Sequence, residues 1–291
     1  MPVLAPRTVL PKLTDRIPLG TSGLAVSPFC SGLTLDARQV PAAYEAGINF
    51  FFVSADMHWP VYEPLRRGLR MLLDGNPAAR DDLVIAVASY VTQPEFCSQP
   101  FLEVLEEVPQ LQRIDLLVAG GSYDREIDTR VALYTMHRTQ RFAGCRAIGA
   151  TFHERAAAVR LLATDALDIA LVRYNPQHPR AATEVFPHVK SRDEGRRTLL
   201  YNFKSTIGWI TSEEEYLALG VAPGFWRPHP TDYYRFALTE PALDGILCGL
   251  PDASSVRDLV DALEKGPLDE EDHQYLLDLA DLQKGRAKLI A

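Results

Sequence analysis

Residues 48–54 read INFFFVS, residues 83–89 LVIAVAS, residues 114–119 IDLLVA and residues 169–174 IALVRY. None of these runs alternates polar and apolar residues cleanly, and most positions are β-branched, aromatic or small. A strand with one wet face alternates, whereas a strand covered on both faces does not, which is the situation of parallel strands flanked by helices. Working outward from them, similar runs occur at Ser27–Ser31, Arg146–Ala150, Thr198–Asn202 and Gly245–Cys248. The predicted strands are therefore Ser27–Ser31, Ile48–Ser54, Leu83–Ser89, Ile114–Ala119, Arg146–Ala150, Ile169–Tyr174, Thr198–Asn202 and Gly245–Cys248.

Segments of helical period fill the gaps: Val40–Ala46, Val61–Leu73, Gln99–Val108, Asp128–Ala143, Glu154–Thr164, Arg180–Arg192, Tyr233–Leu238 and Ser254–Leu263. In Val61–Leu73, the residues Val61, Leu65, Leu69 and Leu72 fall on one helical face, with Arg66, Arg67 and Arg70 largely off it. Eight strand–helix alternations in roughly 250 residues predict a closed (β/α)8 barrel of the TIM type, spanning residues 1–291 as one domain. No GxGxxG follows any predicted strand, which weighs against a dinucleotide fold with an open sheet. Arg16–Ser27, RIPLGTSGLAVS, predicts a β-hairpin ahead of the barrel. PLDEEDHQYLLDLADL, from Pro267, predicts a helical extension after it. The stretch 205–229 carries two of the three tryptophans and is expected to form a lid or wall over the barrel mouth.

The chain has 291 residues and a net charge of −8, which argues against nucleic acid or an anionic membrane as the main partner. No run approaches the ~20 apolar residues of a membrane span, and the proline-rich start does not read as a signal peptide. Cys30, Cys97, Cys145 and Cys248 are far apart, so reduced thiols in a cytoplasm are expected. The partner expected is a small-molecule substrate.

A barrel of this type works at the C-terminal ends of its strands. The most unusual segment there is 54–62, SADMHWPVY. Asp56 and His58 are two residues apart and, in extended chain, point to the same side. A carboxylate and an imidazole so placed suit acid–base work, with Tyr90 and Lys204 as further catalytic candidates. Together with His153 they also suit a divalent metal site, Asp56–His58–His153. Trp59, Tyr174, Trp209 and Trp226 are the expected substrate contacts.

In order along the chain, several segments resemble the aldo-keto reductases. They are RIPLGTSGLAVS, YEAGINFFFVSAD, LVIAVAS, IDLLVAG, RAIGATF, LVRYNP, LLYNF, the long YYRFALTEPALDGILCGLPDASSVRDLVDAL and the tail PLDEED. That resemblance implies NADPH-dependent carbonyl reduction, with a tyrosine as proton donor, a lysine and an aspartate tuning it, and a histidine orienting the substrate. Here the aspartate position reads Phe52 and the tyrosine position Met57 or His58. The lysine position reads Ala88 or Ser89, and the histidine position Ala119 or Gly120. Of the cofactor contacts, the Ser-Asn pair reads Thr151-Phe152 and the sixth-strand glutamine reads Leu171. The stacking tyrosine is expected at Tyr201, and Arg257 is placed to meet a 2′-phosphate.

The expectation is a diverged enzyme of this frame acting on a small molecule at the mouth. Its chemistry is rebuilt around Asp56 and His58, and both NADP(H) and a divalent metal stay open as cofactors. The alternatives are a non-catalytic binding or partner subunit and an atypical NADP(H)-dependent oxidoreductase.

Overall fold

The structure, a computed structural model, describes residues 7–164, 166–191, 195 and 197–285. Strands β1 (Ile17–Leu19) and β2 (Leu24–Val26) form the antiparallel hairpin, with Ile17 opposite Val26. Eight parallel strands follow: β3 (Phe29–Ser31), β4 (Phe50–Ser54), β5 (Val84–Ser89), β6 (Leu116–Ser122), β7 (Ala147–Phe152), β8 (Ile169–Arg173), β9 (Leu199–Phe203) and β10 (Gly245–Cys248). They pair in chain order, and β10 closes on β3. The predicted (β/α)8 TIM barrel is the observed fold.

Helices alternate with the strands: α1 (Gln39–Glu45), α2 (Glu63–Gly75), α3 (Ala79–Asp82), α4 (Gln99–Glu107), α5 (Asp124–Gln140), α6 (Arg155–Leu162), α7 (Ala181–Glu184), α8 (Glu213–Ala218), α9 (Pro230–Thr239) and α10 (Ala253–Glu264), with α11 (Glu270–Gln283) after the barrel. The helix expected at Arg180–Arg192 is reduced to α7 and a 3-10 turn at Phe186–His188, where Pro187 removes a backbone donor; residues 192–194 lie outside the described residues. Among the described residues, no helix is long and apolar enough to cross a membrane.

The core divides by strand parity. Cys30, Phe50, Phe52, Val84, Ala86, Ala88, Leu116, Val118, Ile169, Leu171, Leu199 and Tyr201 point into the barrel, where Leu19 and Val26 of the hairpin join them from the N-terminal end. Their odd-numbered or even-numbered neighbours, such as Phe51, Ile85, Leu117, Ala170 and Leu200, point out and pack under the helices. Successive inward positions therefore climb each strand toward the mouth.

A recurring device fixes the N-terminal end. Asn49, Asp115, Asp168 and Asp244 stand just before barrel strands two, four, six and eight. Each side chain accepts the backbone N–H of the preceding odd strand or its lead-in: Ser27, Ile85, Ile148 and Leu200, at 2.8–2.9 Å. The three carboxylates each also meet arginine: Arg80 and Arg113 for Asp115, Arg138 for Asp168 and Arg197 for Asp244. A buried carboxylate is tolerated when its charge is paired and its lone pairs are hydrogen-bonded.

Candidate functional site

The C-terminal mouth holds a cavity of about 670 Å³ lined by the ends of seven barrel strands or the loops that follow them. Its floor and walls follow from the inward parity. Continuing Phe50 and Phe52 by two residues gives Ser54, and continuing Ala86 and Ala88 gives Tyr90. Beyond Leu116 and Val118 comes Gly120, and beyond Leu199 and Tyr201 comes Phe203. Thr151 and His153 rise from β7, and Lys204 follows Phe203.

Tyr90 is the centre of one wall. Its ring lies over Gly120 and Gly121. A Cβ added at Gly120 would come within 2.9 Å of that ring, and one at Gly121 within 3.2 Å of it and 3.8 Å of His153. The two glycines thus leave the space that the phenol fills, and the rings of Tyr90 and His153 flank the gap at Gly121. The Ser54 hydroxyl is close enough to the Tyr90 phenol to pull its pKa down, and the same hydroxyl is 3.0 Å from His58 Nδ1. His58 packs edge-on against Tyr90, ring centroids 4.8 Å apart. Burial pushes the phenol pKa up, the Ser54 contact pulls against it, and the Asp56 charge adds to the rise, so Tyr90 stays protonated at neutral pH.

Asp56 has a different task from the one expected. The chain does not stay extended after β4; Asp56 opens a 3-10 turn, Asp56–Tyr62, with a left-handed φ of 46°. Its two carboxylate oxygens accept the backbone N–H groups of Met57 and Tyr90. It braces the backbone that presents Tyr90, and that bracing offsets the strain of the turn. Behind the same wall, buried Arg130 donates to the carbonyls of Gly120 and Ser89 and ties the ends of β5 and β6 together.

The opposite wall is cationic. His153 sits against Phe203, ring centroids 6.1 Å apart, and its pKa falls below its ordinary value because of burial, with the charges of Lys204 and Arg173 adding to the fall. It is therefore a neutral imidazole at pH 7. Lys204, like Asp56, holds a left-handed φ, 60°, and Asn175 Nδ2 donates to its carbonyl at 2.7 Å.

Several sequence-predicted positions fall elsewhere. Among the described residues, no group of three His, Cys, Asp or Glu side chains could hold a metal ion, so Asp56, His58 and His153 do not assemble the expected metal site. The Asp56 oxygens face backbone amides and His58 Nδ1 faces Ser54. Tyr174 is buried between Phe186 and Phe236 outside the barrel, because β8 ends one residue before it and its parity is outward. Tyr201 is buried within the barrel, with its hydroxyl donating to the Ser27 carbonyl; the aromatic ring that reaches the mouth from β9 is Phe203. Trp59 stacks on the Arg66 guanidinium at 3.7 Å. Trp209 is exposed and Trp226 packs by Tyr275. The segment expected to cover the mouth instead packs Ile210, Tyr216 and Val221 against Leu279 and Leu282 of α11; only Ser205 and Thr206 from it line the cavity. Parity signals Phe203 in the sequence, two residues beyond the inward Tyr201.

A nicotinamide dinucleotide, which the resemblance implies, was weighed against these residues. Phosphate in such barrels is held near the loops after the last strands and a helix N-terminus. Here the N-terminus of α10 already holds an anion: Asp252 accepts from the Ser255 N–H and from both the Ser254 and Ser255 hydroxyls, which keep its carboxyl pKa low, about 2. Asp36, close enough for repulsion between the carboxylates, adds a second negative charge. Thr151 at the mouth, Tyr201 inside the barrel and exposed Arg257 do not converge on one ligand. The residues do not fit the cofactor. NADPH fluorescence is expected to show no saturable change on titration with the protein; a saturable enhancement would show that α10 accepts phosphate despite Asp252.

The barrel, its hairpin plug and the mouth together define the aldo-keto reductase fold. Solved structures that share it include aldo-keto reductase AKR11C1 from Bacillus halodurans in its holo form, at TM-score 0.71 and 19% identity, covering 94% of this chain and 100% of that one. The glycerol dehydrogenase AKR11B4 from Gluconobacter oxydans superposes with TM-score 0.65 at 12% identity, covering 95% and 98% of the two chains. An aldo-keto reductase from Brucella melitensis gives 0.61 at 13%, covering 91% and 98%. At such identities the likeness is one of fold. No protein-family model matches the chain, and a comparison with curated proteins finds no match.

Proposed function

We propose that the chain is a diverged relative of the aldo-keto reductases that binds a small carbonyl compound at the barrel mouth and moves protons on it, without that family's Asp/Tyr/Lys/His set. The observation that carries this reading is that Tyr90 and His153 line the same cavity and that their rings flank Gly121. A protonated phenol and a neutral imidazole lining one cavity suit enolisation. His153 takes a proton from the carbon next to the carbonyl, and Tyr90 donates its proton to the carbonyl oxygen as the enol forms. The Ser54 hydroxyl, 3.0 Å from His58 Nδ1 and beside the phenol, suits a path by which the phenol is reprotonated. Reversal returns a proton to carbon, so the step balances without an oxidant or a metal.

The acidic net charge and widely spaced cysteines support a small-molecule partner and a reducing, cytoplasmic setting. The test is incorporation of solvent deuterium at the α-carbon of a panel of small aldehydes, ketones and oxo acids, followed by proton NMR with purified protein. Exchange well above the buffer rate is expected for at least one member. A protein that binds none and exchanges none would leave the fold as a non-catalytic scaffold.

A further inference from the structure

The mouth of a chain whose net charge is −8 carries its own positive wall. Ile169 and Leu171 point into the barrel, so Arg173, two residues further up β8, has the inward parity; it stands at the rim opposite Phe203, beside the residues that line the cavity rather than among them. Lys204 follows β9 and lines the cavity. Among the described residues, no carboxylate lies within ion-pair distance of Arg173 or Lys204. The nearby acids are engaged elsewhere: Glu126 is 3.6 Å from buried Arg130, Glu154 accepts the Asp124 N–H, and Asp56 holds two backbone amides. His178, on the loop after β8, shares the pattern of His153: burial lowers its pKa first, and Arg173 and Lys204 are among the cations that lower it further. Two unpaired cations beside a low-dielectric wall concentrate positive potential at one side of the cavity.

We propose that Lys204 at the cavity wall and Arg173 at its rim, with His153 close to both, form an oxyanion subsite, so that the carbonyl compound acted on here carries a carboxylate or a phosphate. This rests on the acid–base reading of the same mouth and narrows its substrate class. An anion held by the two cations places an adjoining carbonyl toward the gap at Gly121, between His153 and Tyr90. A planar guanidinium suits bidentate recognition of either oxyanion, and the ammonium adds a point charge.

The experiment titrates the folded protein with inorganic phosphate and, separately, with acetate, following the His153 imidazole resonances, assigned with His153→Gln. A saturable shift is expected. Arg173→Gln and Lys204→Gln should each weaken binding about tenfold or more, the scale of a lost charge-assisted hydrogen bond. Arg155→Gln, at an arginine paired with Glu184 outside the cavity, should leave it unchanged. Tighter binding of phosphate assigns the subsite to phosphate esters; comparable binding of acetate assigns it to carboxylates. No saturable shift in the parent protein, or a shift that survives both substitutions, overturns the proposal. The two readings fail separately. Anion binding without any carbon exchange removes the acid–base chemistry alone. Exchange of neutral ketones as fast as oxo acids removes the anion subsite alone.

Discussion

Asp115→Ala is expected to destabilise the barrel by about 3–5 kcal/mol, the cost of leaving a buried ionic partner uncompensated. Asp115 is fully buried; one oxygen meets Arg80 at 2.8 Å and the Ile85 N–H at 2.9 Å, the other meets Arg113 at 3.1 Å. Arg80 is itself only 3% exposed, so removing the carboxylate strands a guanidinium and a backbone donor together. With a urea m-value of about 3 kcal/mol per M for a chain of this size, the unfolding midpoint falls by about 1–1.7 M. Adding Arg80→Met should recover part of the loss, because an apolar pair needs no charge compensation. A midpoint within experimental error of the parent would show that the carboxylate device at the strand starts does not hold the barrel.

Tyr90→Phe is expected to lower the exchange rate about 10²–10⁴-fold, the usual contribution of a positioned general acid, with stability nearly unchanged. The variant keeps the ring over Gly120 and Gly121 and removes only the hydroxyl. Gly120→Ala attacks the same arrangement from the other side: its Cβ would meet the Tyr90 ring at 2.9 Å and the Ser89 carbonyl at 3.0 Å, so the phenol must leave its place. The pH profile follows from the two shifts. A base works in its unprotonated form, and the lowered pKa of His153 puts the rising limb below about 6.5. An acid works in its protonated form, and the raised pKa of Tyr90 puts the falling limb above about 10. A Tyr90→Phe rate within twofold of the parent would remove the phenol from the mechanism.

Most of the frame was legible in the chain. Runs such as INFFFVS and IALVRY are apolar on both sides, and only strands covered on both faces tolerate that. The hairpin at residues 16–27 and the acidic start of α11 were equally plain. Site residues were less legible wherever they depended on a turn. Asp56 and His58 stay on one side only if the chain remains extended, and the left-handed φ at Asp56 ends that extension immediately. Tyr174 and Tyr201 both read as residues of a strand end. One has outward parity, however, and the other lies too low in the barrel to reach the mouth.

The sequence by itself determined the barrel, the hairpin plug and the strand order, because these follow from periodicity and residue type. Only the tertiary structure decided which side chains meet at the mouth. That the Tyr90 ring fills the space above two glycines, flanks Gly121 together with the His153 ring and lies beside the Ser54 hydroxyl that meets His58 depends on separate strands meeting at one mouth. Local pattern fixes which way a side chain points from its own strand. It carries no measure of which side chain from another strand it will meet, because that distance is set by the closure of the whole barrel.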